Sequence, residues 1–148
     1  MKKQITRAFA IIIAAVILGA APLVSAQTAE RLVINVPFDF VAGGEQFPAG
    51  RYVVRRVTPD NERALFIQSE DGRVTATLLT NSSGAPGDAA KLLFRQYGDR
   101  YFLAGVRLAG AAGGREVPES KQERDARRER AAKAGGEREP KTVAVNVQ

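Results

Sequence analysis

The sequence has no histidine and no cysteine, which leaves carboxylates and tyrosines as the groups weighed for chemistry and arginines for binding. Histidine is the commonest general base and the commonest metal ligand, and cysteine is the thiolate nucleophile. Ser-His-Asp, Cys-His and His-ligated zinc chemistries are therefore excluded by inventory. Asp60, Glu62, Glu70, Asp71 and Asp99 remain as candidate acids. Glycoside hydrolysis needs two carboxyls held across a cleft. These five lie in or beside predicted turns, where Asp is favoured for hydrogen bonding to its own backbone. No D-x-[DN]-x-[DN]-G series occurs, so the same acids do not form a calcium loop. No catalytic, cofactor-binding or metal-binding residue is assigned.

Three other groups invite a binding role. Tyr52, Phe94, Tyr97, Tyr101 and Phe102 have the composition of a pocket lining, but aromatic residues at strand positions more often form core or cross-strand pairs. Tyr97 and Tyr101 flank Gly98-Asp99 and are expected to clasp that hairpin. Arg124, Arg127, Arg128 and Arg130 form the densest positive cluster, interleaved with Glu123, Asp125 and Glu129. With opposite charges so interleaved, the field largely cancels beyond a Debye length of about 10 Å at 0.1 M salt. The third group is the glycine-rich segment "VPFDFVAGGEQFPAGRY", from Val36 to Tyr52. It lacks the G-x-x-x-x-G-K-[ST] spacing and a following helix to receive a phosphate. Gly43-Gly44 and Pro48-Ala49-Gly50 read instead as two successive turns that aim Tyr52 and Val54 inward.

The elements that would position these residues are short β-rich runs. "RLVINVPFDF", "RYVVRRV", "RALFIQS", "RVTATLLT", "KLLFRQY" and "RYFLAGVRL" are separated by turn residues. Leu32, Ile34 and Val36 share one face, as do Leu65 and Ile67, and Leu92 and Phe94. Asp71-Gly72 has the composition of a type I′ turn and Gly98-Asp99 that of a type II′ turn. "TNSSGAPGDAAK" reads as a surface loop. The pattern predicts an all-β domain over 27–112, with six to seven antiparallel strands in a small barrel or sandwich.

Beyond it, "AGAAGGREVPES" reads as a small-residue linker, and Ser120 stands three residues before Glu123, the spacing of a capping box. An exposed, charged helix is expected over about 120–134, ending at Gly135-Gly136. Alanine is its only apolar residue type, so the expected support is i,i+4 pairs such as Glu123–Arg127 and Glu129–Lys133, about 0.2–0.5 kcal/mol each. In "KTVAVNVQ", Val143, Val145 and Val147 alternate with polar or small residues. That is the pattern of an edge strand over about 142–147, or of a loose tail; the sequence leaves both open.

The first 26 residues have the parts of a cleaved signal peptide: Lys2, Lys3 and Arg7, the apolar run Ala8–Ala21, the helix-stopping Pro22, and Val24 and Ala26 at −3 and −1. The run is short of the ~20 residues that span a bilayer. Its removal leaves 148 − 26 = 122 residues carrying 19 basic and 16 acidic side chains, and from Glu30 to Ala112 the balance is ten to nine. A body so nearly neutral argues against nucleic acid, which needs a concentrated basic face. Without disulfides, an exported chain must hold itself together by core burial.

"NVPFDFVAGGEQFPAGRYVV", "YGDRYFLAGV" and "GREVPESKQERDARRE" together resemble a family of small, exported, uncharacterised proteins numerous in Acidobacteria. Its members share V-P-F-D-F, P-A-G-x-Y, Y-G-D-x-Y-F and E-L-P-x-S-x-x-E-R segments; the resemblance runs from about Val33 to Glu129, and Val117 stands where members usually have Leu. It implies export and a β-rich domain with a C-terminal helix, but no activity, ligand or cofactor.

The expectation is an exported, periplasmic or extracellular, non-enzymatic β module that binds a small molecule or a cell-envelope partner through its β surface or a barrel interior. The alternative is association with the envelope or a membrane surface through the Arg-rich helix. An enzyme working with carboxylates or tyrosines alone ranks behind both.

Overall fold

The computed structural model describes residues 31–58, 61, 63–84, 89–108, 113–136 and 139–147. The expected signal peptide, with Asp60 and Glu62, lies outside them. In chain order the elements are β1 (Arg31–Val36), β2 (Phe40–Ala42), β3 (Glu45–Phe47), β4 (Gly50–Arg56), β5 (Ala64–Ser69), β6 (Thr75–Leu79), β7 (Asn81–Ser83), β8 (Lys91–Tyr97), β9 (Arg100–Arg107), β10 (Gly114–Glu116), α1 (Lys121–Ala134) and β11 (Lys141–Asn146).

Two sheets face one another. The first has the order β1-β4-β5-β6, all antiparallel; the second has the order β11-β8-β9-β10-β7, with the β2–β3 hairpin attached to β9. Neither closes into a barrel, so of the two expected architectures the sandwich is the one present. The strands alternate as their sequences require: Leu32, Ile34 and Val36 of β1 point inward, and so do Tyr52, Val54, Leu65 and Ile67 of β4 and β5. From the second sheet come Leu92, Phe94, Leu103 and Val106, with Phe40 and Phe47 between the layers. Phe40 packs at 5.1 Å from both Phe47 and Tyr52 and at 5.2 Å from Phe94. At about 1.5–3 kcal/mol per fully buried large apolar side chain, this layer is the main source of stability in a chain without disulfides.

The strand count exceeds the expected six to seven because long β-rich runs are cut where the chain passes between sheets. "RLVINVPFDF" ends β1 in the first sheet and resumes as β2 in the second, with Pro37 in the break. "RVTATLLT" ends β6 at Leu79, and the chain crosses at buried Thr80 to form β7 within the expected surface loop. Both the amide and the hydroxyl of Thr80 donate to the Arg63 carbonyl, at 2.8 and 3.0 Å, so the crossing leaves no orphan donor. One pairing is parallel, Val41 with Phe102 between β2 and β9.

The turns of the opening glycine segment follow expectation. Gly43 and Gly44 carry φ of 61° and 89° and close the β2–β3 hairpin. A side chain at Gly43 would also meet Leu78 Cδ2 at 3.0 Å, so the position needs glycine twice over. At Gly98-Asp99 a two-residue loop joins Tyr97 to its partner Arg100, with positive φ at Gly98 alone, as a type II′ turn requires. Asp71-Gly72 departs from expectation: Asp71 has no positive φ, and Ser69 pairs with Val74 across a four-residue loop. The side chains explain the wider turn. Ser69 Oγ donates to Asp71 Oδ1 at 2.6 Å and accepts from the Val74 amide at 3.0 Å, an arrangement a two-residue loop would have no room for.

The C-terminal third is built into the second sheet. The expected linker contains β10, which pairs with both β9 and β7. A boundary after residue 112 would therefore fall inside that sheet. β11 pairs in full register with β8, from Lys141 opposite Gln96 to Asn146 opposite Lys91. Its valines rest against the core, so of the two readings the edge strand is the one present.

Candidate functional site

α1 begins as its sequence indicates: the Glu123 amide donates to Ser120 Oγ at 3.1 Å, and Gly135 closes the far end with φ 66°. The Glu123 carboxylate, however, does not complete a capping box or pair with Arg127. It turns under the helix, where Glu123 is only 2% exposed. Arg95 Nε on β8 donates to its Oε1 at 2.5 Å and Arg95 Nη2 to its Oε2 at 3.4 Å. Nη2 also donates to the Val117 carbonyl at 3.0 Å, and the Tyr97 hydroxyl donates to Glu123 Oε1 at 3.4 Å.

Around this pair lies a second, smaller core of Tyr97, Phe102 and Ala126, with Val41 against it. Glu123, Ala126 and Arg130 stand at i, i+3 and i+7, one face of the helix. The last of them donates from Nη1 to the Gln96 carbonyl at 3.0 Å. Arg127 and Ala131 are half-buried, and the other helical positions are exposed, in keeping with the composition. The two expected i,i+4 carboxylates are spent on the sheet, Glu123 on Arg95 and Glu129 on Arg100 at 3.1 Å.

This environment sets the local ionisation. Burial pushes the Tyr97 hydroxyl up from 10.0 to about 12, with the Glu123 carboxylate adding to the effect. At Arg95, burial disfavours the charge, but the hydrogen bond and proximity to Glu123 outweigh it and raise the pKa above its ordinary value. The cluster is a lock: each member's charge or donor is answered by another.

Beside the lock opens a cleft of about 320 Å³. Val41, Ala42 and Gly43 form one wall, Thr77, Leu78 and Leu79 of edge strand β6 another, and Phe102 and Leu103 the floor. Val117, Pro118, Ser120 and Glu123 close the end at the start of α1. The walls are mostly apolar; the polar side chains of the lining are Thr77 on β6 and, at the start of α1, Ser120 and Glu123. An elongated molecule with one polar terminus suits such a lining.

The residues singled out in the sequence scatter rather than converge. Asp71 holds its own turn, and its carboxyl lies below the usual range through the Ser69 hydroxyl and the Arg73 amide. Glu70 pairs with Arg51 at 3.3 Å, and Asp99 sits exposed in the β8–β9 turn. Tyr97 and Tyr101 do not clasp their hairpin, because they lie on opposite faces: Tyr97 goes under the helix, while Tyr101 stacks on Phe38 with centroids 4.0 Å apart. Tyr52 is buried, donates to the Pro48 carbonyl, and has its pKa raised by burial and then by Asp39 and Asp71. Of the four helical arginines, Arg124 and Arg128 are exposed, while Arg127 lies 3.6 Å from Glu119.

Sequence reasoning missed the part played by Arg95. The available signal was a charged residue in mid-strand, directly after core residue Phe94 in "KLLFRQY", with a carboxylate one helical face away.

Fold and site together define a helix-capped, two-sheet antiparallel β-sandwich with an apolar cleft at one open side. No protein-family model matches the chain, and neither a curated protein nor a solved structure does. Among the described residues no helix is long and apolar enough to cross a membrane.

Proposed function

We propose that the chain is an exported, non-enzymatic binding module that holds a small amphiphilic molecule in the cleft between β2, β6 and the start of α1. The observation that carries this reading is the cleft itself, mostly apolar along its walls and with Ser120 and Glu123 at its α1 end. The expected barrel-interior version is replaced, because the space between the sheets is filled by Phe40, Phe47, Tyr52 and Phe94. The absence of histidine and cysteine supports binding over catalysis, and the N-terminal pattern of charge, apolar run and small-residue cleavage site supports export.

The test is mass spectrometry of whatever remains bound to protein purified gently from its own host, beside a Val41→Trp variant. Val41 is half-buried at the cleft wall, and the larger ring should fill the space. The wild type should carry a bound species that the variant lacks while the two melt alike. A wild type that carries nothing, or equal loading of a well-folded variant, would sink the proposal.

A further inference from the structure

We propose that the outer face of the first sheet docks on an anionic lipid surface. In contrast to the second sheet, whose outer face is covered by α1, this face has nothing packed on it among the described residues. Strand register assembles it from residues far apart in sequence. Arg31 on β1 stands directly opposite Arg55 on β4, which in turn stands opposite Phe66 on β5. The next outward pair is Val33 with Val53, and beyond it Asn35 with Arg51.

Two features of the face find no explanation in folding. The first is the like-charge pair Arg31–Arg55, which is directly opposed across an antiparallel ladder and works against the fold. The only carboxylate described on this face is Glu70, and it is taken by Arg51. The second is apolar exposure. The large hydrophobic side chains left exposed among the described residues are Val33 at 41%, Val57 at 41% and Leu79 at 73%. Alternation places all three on this face, with Val57 and Leu79 meeting around Ala64 at one end of the sheet.

A partner must therefore offer negative charge and an apolar phase together. An acidic lipid interface does both: arginines engage headgroups while Val33, Val57 and Leu79 enter the acyl boundary. Nucleic acid fits less well, since the Phe66 ring is already covered by the Arg55 guanidinium, 4.6 Å from its centroid, and is not open for base stacking. A second copy of the face would oppose arginine to arginine. Of the residues named on this face, Leu79 alone also lines the cleft, at its β6 wall; Val33, Val57, Arg31, Arg51 and Arg55 take no part in it.

The test exploits the lack of cysteine. A solvatochromic probe is attached to the full chain at Leu79→Cys, and separately at Arg128→Cys on the exposed side of α1, in chains otherwise identical, so any binding by the N-terminal segment is common to both. Vesicles of phosphatidylcholine with 30% phosphatidylglycerol should shift the Leu79 probe toward the blue. The shift should vanish in 0.5 M salt and on pure phosphatidylcholine, and the Arg128 probe should stay unchanged. Each basic side chain at an anionic surface contributes a factor of about five, so Arg31→Gln/Arg51→Gln/Arg55→Gln should weaken the Leu79 response on the order of 100-fold. A shift at Arg128 alone assigns membrane contact to the helix and overturns the proposal. So does an unshifted Leu79 probe, a response equal in the triple variant, or a response to duplex DNA and not to vesicles.

Discussion

The two outer faces of the sandwich carry the same kinds of residue and treat them in opposite ways. On the second sheet, Arg95 meets Glu123 under α1, Tyr97 joins them, and the charges become part of the packing. On the first sheet, Arg31 and Arg55 stand opposite one another in solvent with apolar neighbours left uncovered. The most basic stretch of the sequence, in α1, is interleaved with carboxylates, two of which, Glu123 and Glu129, pair with arginines of the sheet. The basic face on the first sheet comes from residues that strand pairing brings together. Charge density along a chain is thus a poor guide to charge density on a surface.

The largest effect that would test this contrast lies under the helix. Glu123→Ala leaves the Arg95 guanidinium buried without its partner and should cost about 3–5 kcal/mol in urea unfolding. Replacing both partners with apolar residues, Arg95→Met with Glu123→Leu, should recover most of that loss. A single-variant cost below about 1 kcal/mol would mean that the pair behaves as a surface ion pair, and the contrast between the faces would fail.

The next effect is a pH dependence to which the same cluster contributes through Tyr97. The Tyr97 hydroxyl is raised from 10.0 to about 12 in the folded chain. Below pH 10 both folded and unfolded chains keep the proton. As pH rises from there through 12, the unfolded chain releases it first and gains on the folded one. Up to about 2–3 kcal/mol of stability should disappear across that window. Ultraviolet titration should show one tyrosine ionising near pH 12, and Tyr97→Phe should remove both that step and its share of the stability loss. A Tyr97 that titrates near 10 would show that the helix leaves it wet.

The smallest effects distinguish the exposed charges. Arg31→Gln relieves the repulsion with Arg55 and should raise stability by about 0.2–1 kcal/mol. Glu129→Ala breaks an exposed pair with Arg100 and should lower it by about 0.2–1 kcal/mol. Thermal melts at low and high salt read both signs, and salt should shrink both. A loss of stability in Arg31→Gln would show that the arginine is a structural residue.

Local pattern made much of the architecture legible. Alternation identified the inward residues of β1, β5 and β8, and the turn pairs Gly43-Gly44 and Gly98-Asp99 marked their hairpins. Pro48, Gly50 and Tyr52 formed the turn they suggested, with Asp39 Oδ1 accepting from the Ala49 amide at 2.7 Å to bind the two ends of that segment. The sheet crossings at Pro37 and Thr80 were not legible, because a run of β-forming residues does not say which sheet each part will join. Nor was the candidate cleft, whose walls come from β2, β6, β9 and the start of α1, four places with no mark of their own.

The sequence alone determined which residues prefer strands, where the chain turns, where the helix starts and stops, and which catalytic groups are missing. Those properties depend on backbone sterics, side-chain period and inventory, all of which are local. Tertiary structure decided where Glu123 points, which face α1 covers, and which arginines share a surface. The buried pair forms only when a strand and a helix 28 positions apart meet, and the basic face only when β1 and β4 come into register. Nothing local distinguishes a carboxylate that will pair with its helical neighbour from one that will be buried against a strand.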